Sequence, residues 1–367
     1  LQGVLFLAHA SGVSPCKNRP TRSHHDVAKR RRVSPRSFHE PAHIMSLPSA
    51  LSRLSGDEVG IIFGGLRDTT EPGVAVAFSS ASHELRKQTQ ALWQQLRAEH
   101  EAAAALCLKL GMRNCKELRE ATVIETRNRS LSAADLGTLG MLCSGLPELV
   151  EIHLFESAAS SDGVQRLAEG LGAGALPAVT CFLLSRLHVG DVGASALTAA
   201  LGRGALPRLE ILTLTNTGIS DAGLVTLAPA LRRLPGLQAL FLSSNPVGDE
   251  GLAALVAPSS PAGALSPPTG GLKKLHLIVM RNSKVSDAGC AALLAALDSG
   301  RLPALKEIDL LGSPVSAASE ADIDDSLALA KSKRNIRRRA ALAVRRGLRV
   351  RGRPLQPAAN RGHPGHP

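Results

Sequence analysis

A pattern of aliphatic residues occurs six times between residues 149 and 315, and it constrains the fold more than any other feature of the chain. Each copy has an apolar residue at its first, fourth, sixth and eleventh positions. The copies begin at intervals of 30, 30, 28, 38 and 30 residues. A period near 30 is typical of stacked repeats, in which no unit can bury its apolar side alone. The copies begin at Leu149, Val179, Leu209, Leu237, Leu275 and Leu305.

Each copy predicts a short strand, a turn and a helix. The first part alternates apolar and variable residues, which is the period of a strand. An aspartate then stands where a carboxylate in the first helical turn would satisfy free backbone amides and favour the helix dipole. Behind it the apolar spacing changes to three and four, as in Leu224, Leu227 and Leu231, which predicts an amphipathic helix. The four aspartates are Asp191, Asp221, Asp249 and Asp287.

With these features, residues 123–316 resemble the leucine-rich repeat family, in particular its long-repeat, ribonuclease-inhibitor-like subclass. The resemblance implies an α/β solenoid, with a curved parallel sheet inside and α-helices outside. Val123 and Ile124 begin a degenerate first repeat. The family usually has Asn three residues after the last strand position. Only Asn245 fits, and we expect an irregular turn at Leu187, because its side chain cannot replace the amide hydrogen bonds. The other four positions carry hydroxyl groups: Ser157, Thr217, Ser283 and Ser313.

Composition and charge divide the chain into four predicted segments. Residues 1–47 are a disordered basic leader, 48–118 a helical module, 119–330 the solenoid and 331–367 a disordered basic tail. The net charge of +12 belongs to the ends, since eight Lys/Arg lie in the first 45 residues and twelve in the last 37. The body between them is mildly acidic. The Pro- and Gly-rich stretch 257–271 predicts a loop inserted into the fifth repeat.

The two basic ends contain candidate nuclear-import signals. The alternative interpretation is that these ends are solvated basic tails without a targeting signal. The sequence begins at Leu1, so it is either a fragment or a translation begun upstream of the natural start. In the second case we expect Met45 to be the natural start, with no fold before it. The candidate signal residues are Lys29, Arg30, Arg31 and Arg32, and Lys333, Arg334, Arg337, Arg338 and Arg339.

Cysteine usage and hydropathy predict an intracellular protein, in the cytoplasm or the nucleus. The six cysteines lack paired spacings, which favours reduced thiols over a disulfide framework. No apolar run is long enough to span a bilayer. The string His39–His43 matches the H-E-x-x-H metalloprotease motif, but Pro41 opposes the helix that the motif needs. We therefore predict no metal site and no cofactor.

The segment before the repeats contains, in this order, Leu54, Asp57-Glu58, Ile61-Ile62, Leu66 and the stretch from Phe78 to Ser82. This order resembles an F-box, the small helical module that docks adaptors of cullin–RING ubiquitin ligases. The sequence departs from that family at Ser55, where a proline is usual, and at Leu85, where a tryptophan is usual. The alternative is a helical cap that shields the first strand, which every solenoid needs. If the resemblance holds, the adaptor-docking residues are Leu54, Ile61, Ile62, Leu66 and Phe78.

Strand alternation places the third, fifth and seventh positions of each repeat on the concave surface. These positions form an apolar centre with a polar rim, as interfaces do. We predict that Phe241 and Leu183 anchor a bound peptide or protein segment, unless loop 257–271 covers part of the patch. The predicted partner-binding residues are His153, Phe155, Leu183, Ile211, Thr213, Phe241, Leu277, Val279, Arg281 and Asp309.

Together these features predict a non-catalytic protein-interaction scaffold, with a substrate receptor of a ubiquitin ligase as its most specific form. One alternative, from the likeness to Ran GTPase-activating proteins, is an activator of a small GTPase. Another is the regulatory repeat domain of a NOD-like sensor. The sequence has no phosphate-binding GxxxxGK[ST] motif, no G-x-S-x-G and no Ser/His/Asp cluster at usable spacing, so we predict no catalytic residue. One Trp and no Tyr make a specific nucleic-acid partner unexpected.

Overall fold

The computed structural model describes residues 54–127, 129–155, 161–257 and 272–351, with side chains described as far as residue 335. In these ranges seven strands form one parallel sheet, and each strand pairs with the next one along the chain. This sheet confirms the α/β solenoid and includes the degenerate first repeat. The strands are β1 Val123–Glu125, β2 Glu151–Phe155, β3 Cys181–Ser185, β4 Ile211–Thr215, β5 Ala239–Phe241, β6 Leu277–Val279 and β7 Glu307–Asp309.

The described residues also contain eleven α-helices and one short 3₁₀ helix, Cys143–Gly145. The helices of successive repeats pack side by side in chain order. They are α1 Gly56–Leu66, α2 Gly73–Ser80, α3 His83–Lys109, α4 Cys115–Arg119, α5 Ala133–Leu142, α6 Ser161–Gly170, α7 Gly190–Gly202, α8 Asp221–Leu231, α9 Asp249–Val256, α10 Asp287–Asp298 and α11 Ala317–Arg351. Within the described ranges, none of these helices is both long and apolar enough to cross a membrane.

The register of the sheet stacks equivalent positions of each repeat on one another. The second residues of the strands pair from β1 to β6, and all of them are buried. Burial of such an aliphatic or aromatic side chain contributes about 1.5–3 kcal/mol. One continuous core therefore runs through the stack, as the aliphatic period predicts. This buried row is Ile124, Ile152, Phe182, Leu212, Leu240 and Ile278.

The turn that contains Leu187 matches the other repeats at its start but departs from them at Gly190, as the prediction of an irregular turn requires. The φ of Gly190 is +58°, whereas the equivalent residues Ser220 and Ser286 have −96° and −115°. Arg186 has φ +56°, close to the values of its counterparts Asn216 (+52°), Ser244 (+59°) and Asn282 (+53°). The turn is held by backbone bonds to the next repeat, with the Arg186 amide donating to the Thr215 carbonyl at 3.0 Å. Leu187 itself is fully buried. Its side chain adds apolar contact to the core where a side-chain amide would bond to the backbone.

Asn245 makes the backbone bonds that the family resemblance implies. Its side-chain oxygen accepts hydrogen bonds from the amides of Thr217 (2.9 Å) and Ile219 (3.3 Å). Its side-chain nitrogen donates to the carbonyls of Leu214 (2.5 Å) and Leu242 (2.9 Å). The buried amide side chain thus joins two adjacent repeats.

The hydroxyl groups that stand in for Asn take over part of this role. The oxygens of Ser283 and Ser313 lie 2.8 Å apart, and Ser313 accepts from the amide of Ser283 at 3.2 Å. Ser313 also bonds with the Met280 carbonyl at 3.2 Å. A hydroxyl group makes fewer hydrogen bonds than a side-chain amide, and here two serines together link adjacent repeats.

Helix α3 belongs to two hydrophobic cores. At its midpoint, Leu96 packs with Phe63 of α1 and Ala75 of α2 in a small separate cluster. Near its C-terminus, Ala103 and Leu106 lie in the main core of the solenoid, and the helix packs on α5. The second half of α3 therefore closes the first repeat, while α1 and α2 pack on the first half.

The last helix extends past the predicted boundary at residue 330. Helix α11 runs to Arg351, so the backbone of residues 331–351 is helical and not the predicted disordered tail. Arg and Ala have high helix propensity, and the sequence from residue 331 to 346 contains neither Gly nor Pro. The run of like charges predicts disorder, but the residue types within it favour a helix.

Several predictions lie outside the described residues. They concern the basic leader with Met45, the motif at His39–His43, the position of Ser157 and the inserted loop except Ala257. The import-signal candidates Lys29, Arg30, Arg31 and Arg32 also lie outside them.

Candidate partner-binding face

The predicted binding residues lie on the face of the sheet that points away from the buried row. We call this surface the open sheet face. Strand pairing aligns its central positions in one row that crosses all seven strands. The row is Glu125, His153, Leu183, Thr213, Phe241, Val279 and Asp309, which brings six of the ten predicted residues together.

The centre of the open sheet face is apolar and partly accessible. Leu183, Phe241, Leu277 and Val279 are half-buried, and Ile211 is 37% exposed. Ile211 pairs with Ala239, which in turn pairs with Leu277, so the patch continues from β3 to β6. An apolar patch of this kind is typical of a surface that another molecule covers.

Thr213 was predicted to contact a partner, but its residue surface is only 8% exposed. It lies between Leu183 and Phe241 in the central row. Both neighbours have larger side chains, and they leave little of Thr213 accessible. Thr213 therefore packs between its neighbours and offers little surface for contact with a partner.

At the first strands the rim of the open sheet face is charged and already paired. The His153 ring nitrogen lies 3.1 Å from the Glu151 carboxylate, and Arg127 lies 3.2 Å from Glu125. The Arg127 guanidinium also sits 5.0 Å from the centre of the Phe155 ring, a cation–π contact. These contacts hold the predicted residues His153 and Phe155 in defined positions.

Glu125 and Arg127 are rim residues that the sequence reasoning missed. Glu125 ends the short strand of the degenerate first repeat and Arg127 follows it, where the full apolar pattern is absent. The sequence feature that could have identified them is Ile124, which aligns with the buried Ile152 of the next repeat. That alignment places Glu125 beside His153.

The opposite rim consists of one tight ion pair. Arg281 and Asp309 approach to 2.5 Å, and this hydrogen bond raises the pKa of Arg281 above its ordinary value. Beside them Leu311 is 66% exposed. The apolar centre is thus bounded by charged groups at both ends, and both predicted residues of this rim belong to the boundary.

The open sheet face contains one thiol beside an imidazole. The Cys181 sulfur lies 3.8 Å from the His153 ring nitrogen. Burial, together with the charge of Glu151, raises the pKa of Cys181 to about 11, so the thiol is protonated at neutral pH. Among the described residues, no group of three His, Cys, Asp or Glu side chains could hold a metal ion.

The predicted adaptor-docking residues are divided between surface and interior. Ile61 is 75% exposed, whereas Leu54 and Ile62 are half-buried. Leu66 and Phe78 pack against the small core of the helical module. Ile61 is therefore the most exposed of the five, and Leu54 and Ile62 remain partly accessible. Two exposed valines on α2, Val74 and Val76, were not among the predicted residues.

The described import-signal candidates lie on helix α11. Lys333 is exposed, but Arg334 donates hydrogen bonds to the carbonyls of Pro303 (3.0 Å) and Leu305 (2.9 Å). Arg337, Arg338 and Arg339 have helical backbone. Part of the basic cluster therefore packs on the last repeat instead of extending from it.

Comparison with known proteins agrees with this geometry. A family model described as a leucine-rich repeat matches residues 236–256, which contain β5, the turn with Asn245 and helix α9. No curated protein is significantly similar to the chain. The matched repeat and the parallel sheet of seven strands together fit a leucine-rich repeat protein.

Proposed function

We propose that this protein is a non-catalytic scaffold that binds another protein on its open sheet face. The observation that carries the proposal is the apolar patch around Phe241, bounded at both ends by ion-paired side chains. Interfaces have this arrangement of an apolar core within a polar rim. Aromatic residues near the centre of such a patch often contribute most of the binding energy.

The paired rims favour a partner that brings apolar side chains to the centre. Arg281 and Asp309 already satisfy each other, so a charged partner group would have to replace an existing bond. The accessible aliphatic side chains from β3 to β6 have no such competing contact. Neighbouring strands lie about 4.8 Å apart, so the patch measures about 14 Å across. Two or three apolar side chains of a partner fit within that distance.

The test is affinity capture from cell extract with the full chain and single variants, quantified by mass spectrometry. We expect Phe241→Glu and Leu183→Glu to remove the same set of partners. Val192→Glu is the matched control, because Val192 is 60% exposed on helix α7 and lies outside the open sheet face. Circular dichroism checks that each variant is folded. Partners that survive both sheet variants would contradict the proposal.

A more specific form of this function is a ubiquitin-ligase substrate receptor, in which α1 and α2 dock a cullin-type adaptor. It is supported by the packing of both helices on the first half of α3, away from the part that closes the solenoid. Exposed aliphatic side chains at Ile61 and Val74 favour a contact there.

A pull-down of purified cullin-type adaptor by the full chain tests whether the protein is a ubiquitin-ligase substrate receptor. We expect Ile61→Asp to abolish adaptor binding and Leu329→Asp, an exposed leucine on α11, to leave it intact. Retained binding by the Ile61 variant would exclude docking through α1. The alternative of a GTPase activator is tested by GTP hydrolysis with a panel of small GTPases, and acceleration that Phe241→Glu removes would support it.

A further inference from the structure

Helices α2 and α3 enclose a groove with a volume of about 540 Å³ on the surface of the helical module. We call it the α2–α3 groove. Val76 and Trp93 supply its apolar surface, and His83, Arg86, Lys87 and Gln90 are among the polar groups around it. The groove is distinct from the open sheet face, which lies on the strands.

Two cations of this groove differ from every other cation of the module. In the part of the chain that the structure describes, the side chains of Arg86 and Lys87 have neither an ion pair nor a hydrogen bond. Each remaining Arg or Lys of residues 54–119 has an acidic partner within 4 Å. These pairs are Arg67–Glu99, Arg97–Glu101, Lys109–Asp135, Arg113–Glu117, Lys116–Glu120 and Arg119–Asp68.

The groove therefore combines two unpaired positive charges with a small apolar surface. None of its lining residues is acidic. From His83 to Gln94 the helix rises about 16 Å, the length of about five extended residues. A short peptide segment that carries carboxylates and one apolar side chain matches this length and charge.

We propose that the α2–α3 groove binds an acidic segment of a partner protein, with carboxylates on Arg86 and Lys87 and an apolar side chain against Val76 and Trp93. The chain's own ends do not suit the groove, because residues 1–45 and 331–367 together carry twenty Lys/Arg and two acids. A nucleic acid suits it less well, since single strands are held by several stacked aromatic side chains and Trp93 is alone here.

The chain offers an internal probe for this groove. Trp93 is the single tryptophan, and the sequence contains no tyrosine. Emission excited near 295 nm therefore reports on the groove alone. The experiment titrates the full chain with a capped hexapeptide, EELDEE, and follows both this emission and the anisotropy of a fluorescein-labelled copy. The uncharged peptide QQLNQQ and a short oligouridylate serve as competing ligands.

We expect EELDEE to shift the emission of Trp93 and to bind less tightly as NaCl rises from about 50 to 500 mM. Arg86→Glu/Lys87→Glu should weaken binding at least about tenfold. The matched control is Lys273→Glu/Lys274→Glu, which changes the net charge equally at exposed lysines before β6 and should alter affinity less than about twofold. Phe241→Glu should leave peptide binding unchanged, which separates this test from that of the open sheet face.

The proposal is overturned if the Arg86/Lys87 variant, shown to be folded by circular dichroism, binds EELDEE as the wild type does. It is also overturned if QQLNQQ binds equally well, if oligouridylate binds more tightly than EELDEE, or if no binding occurs. The anisotropy measurement makes these outcomes independent of the fluorescence of Trp93.

Discussion

Asp249 caps the helix of the repeat that follows its own, through Ser286. One carboxylate oxygen accepts a hydrogen bond from the Ser286 amide at 2.7 Å, and the other accepts from its hydroxyl group at 2.6 Å. The amide of Gly289 adds a third bond at 2.9 Å. The carboxylate thus satisfies amides that the start of α10 would otherwise leave free.

The same relationship joins the other repeats. Asp191 accepts from the amide of Ser220, Asp221 from that of Gly248, and Asp287 from that of Ser316, at 2.7–2.8 Å. The sequence predicted a capping carboxylate but assigned it to its own helix. The structure shows instead that each of these aspartates binds one repeat to the next.

Gly289→Ala is expected to destabilise the protein by about 2–3 kcal/mol, because the new methyl group would lie 2.5 Å from the Asp249 carboxylate. Gly202→Ala is the control, since nothing lies within 4 Å of the position of its methyl group. That control should change stability by less than about 1 kcal/mol. Urea unfolding followed by circular dichroism measures both. Equal midpoints for the two variants would contradict the close contact.

Asp249→Ala is expected to cost about 2 kcal/mol, because it leaves the amides of Ser286 and Gly289 without an acceptor. Combined with Gly289→Ala it should cost less than the sum of the single changes, since the methyl group then has no carboxylate to meet. A double-mutant cycle of unfolding free energies measures this coupling. Additive values would show that the two residues act independently.

Stability should fall in acid through these aspartates. Burial alone would raise the pKa of Asp249, but hydrogen bonds from Ser286 and Gly289 outweigh it and lower the pKa below 3.8. The bond from the Ser316 amide lowers the pKa of Asp287 in the same direction. A lowered pKa in the folded state gives stability that is present above pH 4 and is lost as pH falls through the folded pKa.

Urea midpoints between pH 7 and pH 2.5 check this pH dependence. Asp249→Asn lacks the titrating group, so its midpoint should fall less with acid than that of the wild type. Both proteins share the other carboxylates, which makes the difference between their slopes the decisive quantity. Parallel slopes would exclude Asp249 as a source of acid sensitivity.

Asn245→Ala is expected to destabilise the protein by about 3 kcal/mol, because it leaves buried backbone groups of two repeats unpaired. Ser283→Ala should cost about 1 kcal/mol, since a hydroxyl group makes fewer bonds at the equivalent position. Thermal unfolding of the two variants compares them. A Ser283 variant as unstable as the Asn245 variant would contradict the ranking.

The strands and their register were predictable because the apolar period reports burial directly. Ile152 and Phe182 stand at the same position of their repeats, and the sheet pairs them. The central row of the open sheet face follows from the same alternation. Accessibility within that row was not predictable, since the burial of Thr213 depends on the side chains of adjacent strands.

The links between repeats were also beyond the sequence pattern. Asp249 and Ser286 are 37 residues apart. The aspartate recurs in four repeats, but its recurrence does not indicate whether it caps its own helix or the next one. The split of the adaptor candidates has a similar cause. Ile61 and Phe78 are both apolar, but only the packing of α1 and α2 on α3 decides which of them stays outside.

Helix α3 has a mechanical consequence for any pair of partners. Its 27 residues form a rod of about 40 Å whose two halves are anchored in different cores. A ligand bound by the first half of α3 and a ligand bound by the repeats would be connected through a continuous helix, and not through a flexible linker. Whether the two bound ligands can meet would then depend on the fixed distance and direction between their sites, and little on the entropy of a linker. Each ligand would raise the effective concentration of the other only if it is bound in an orientation that points toward the other site.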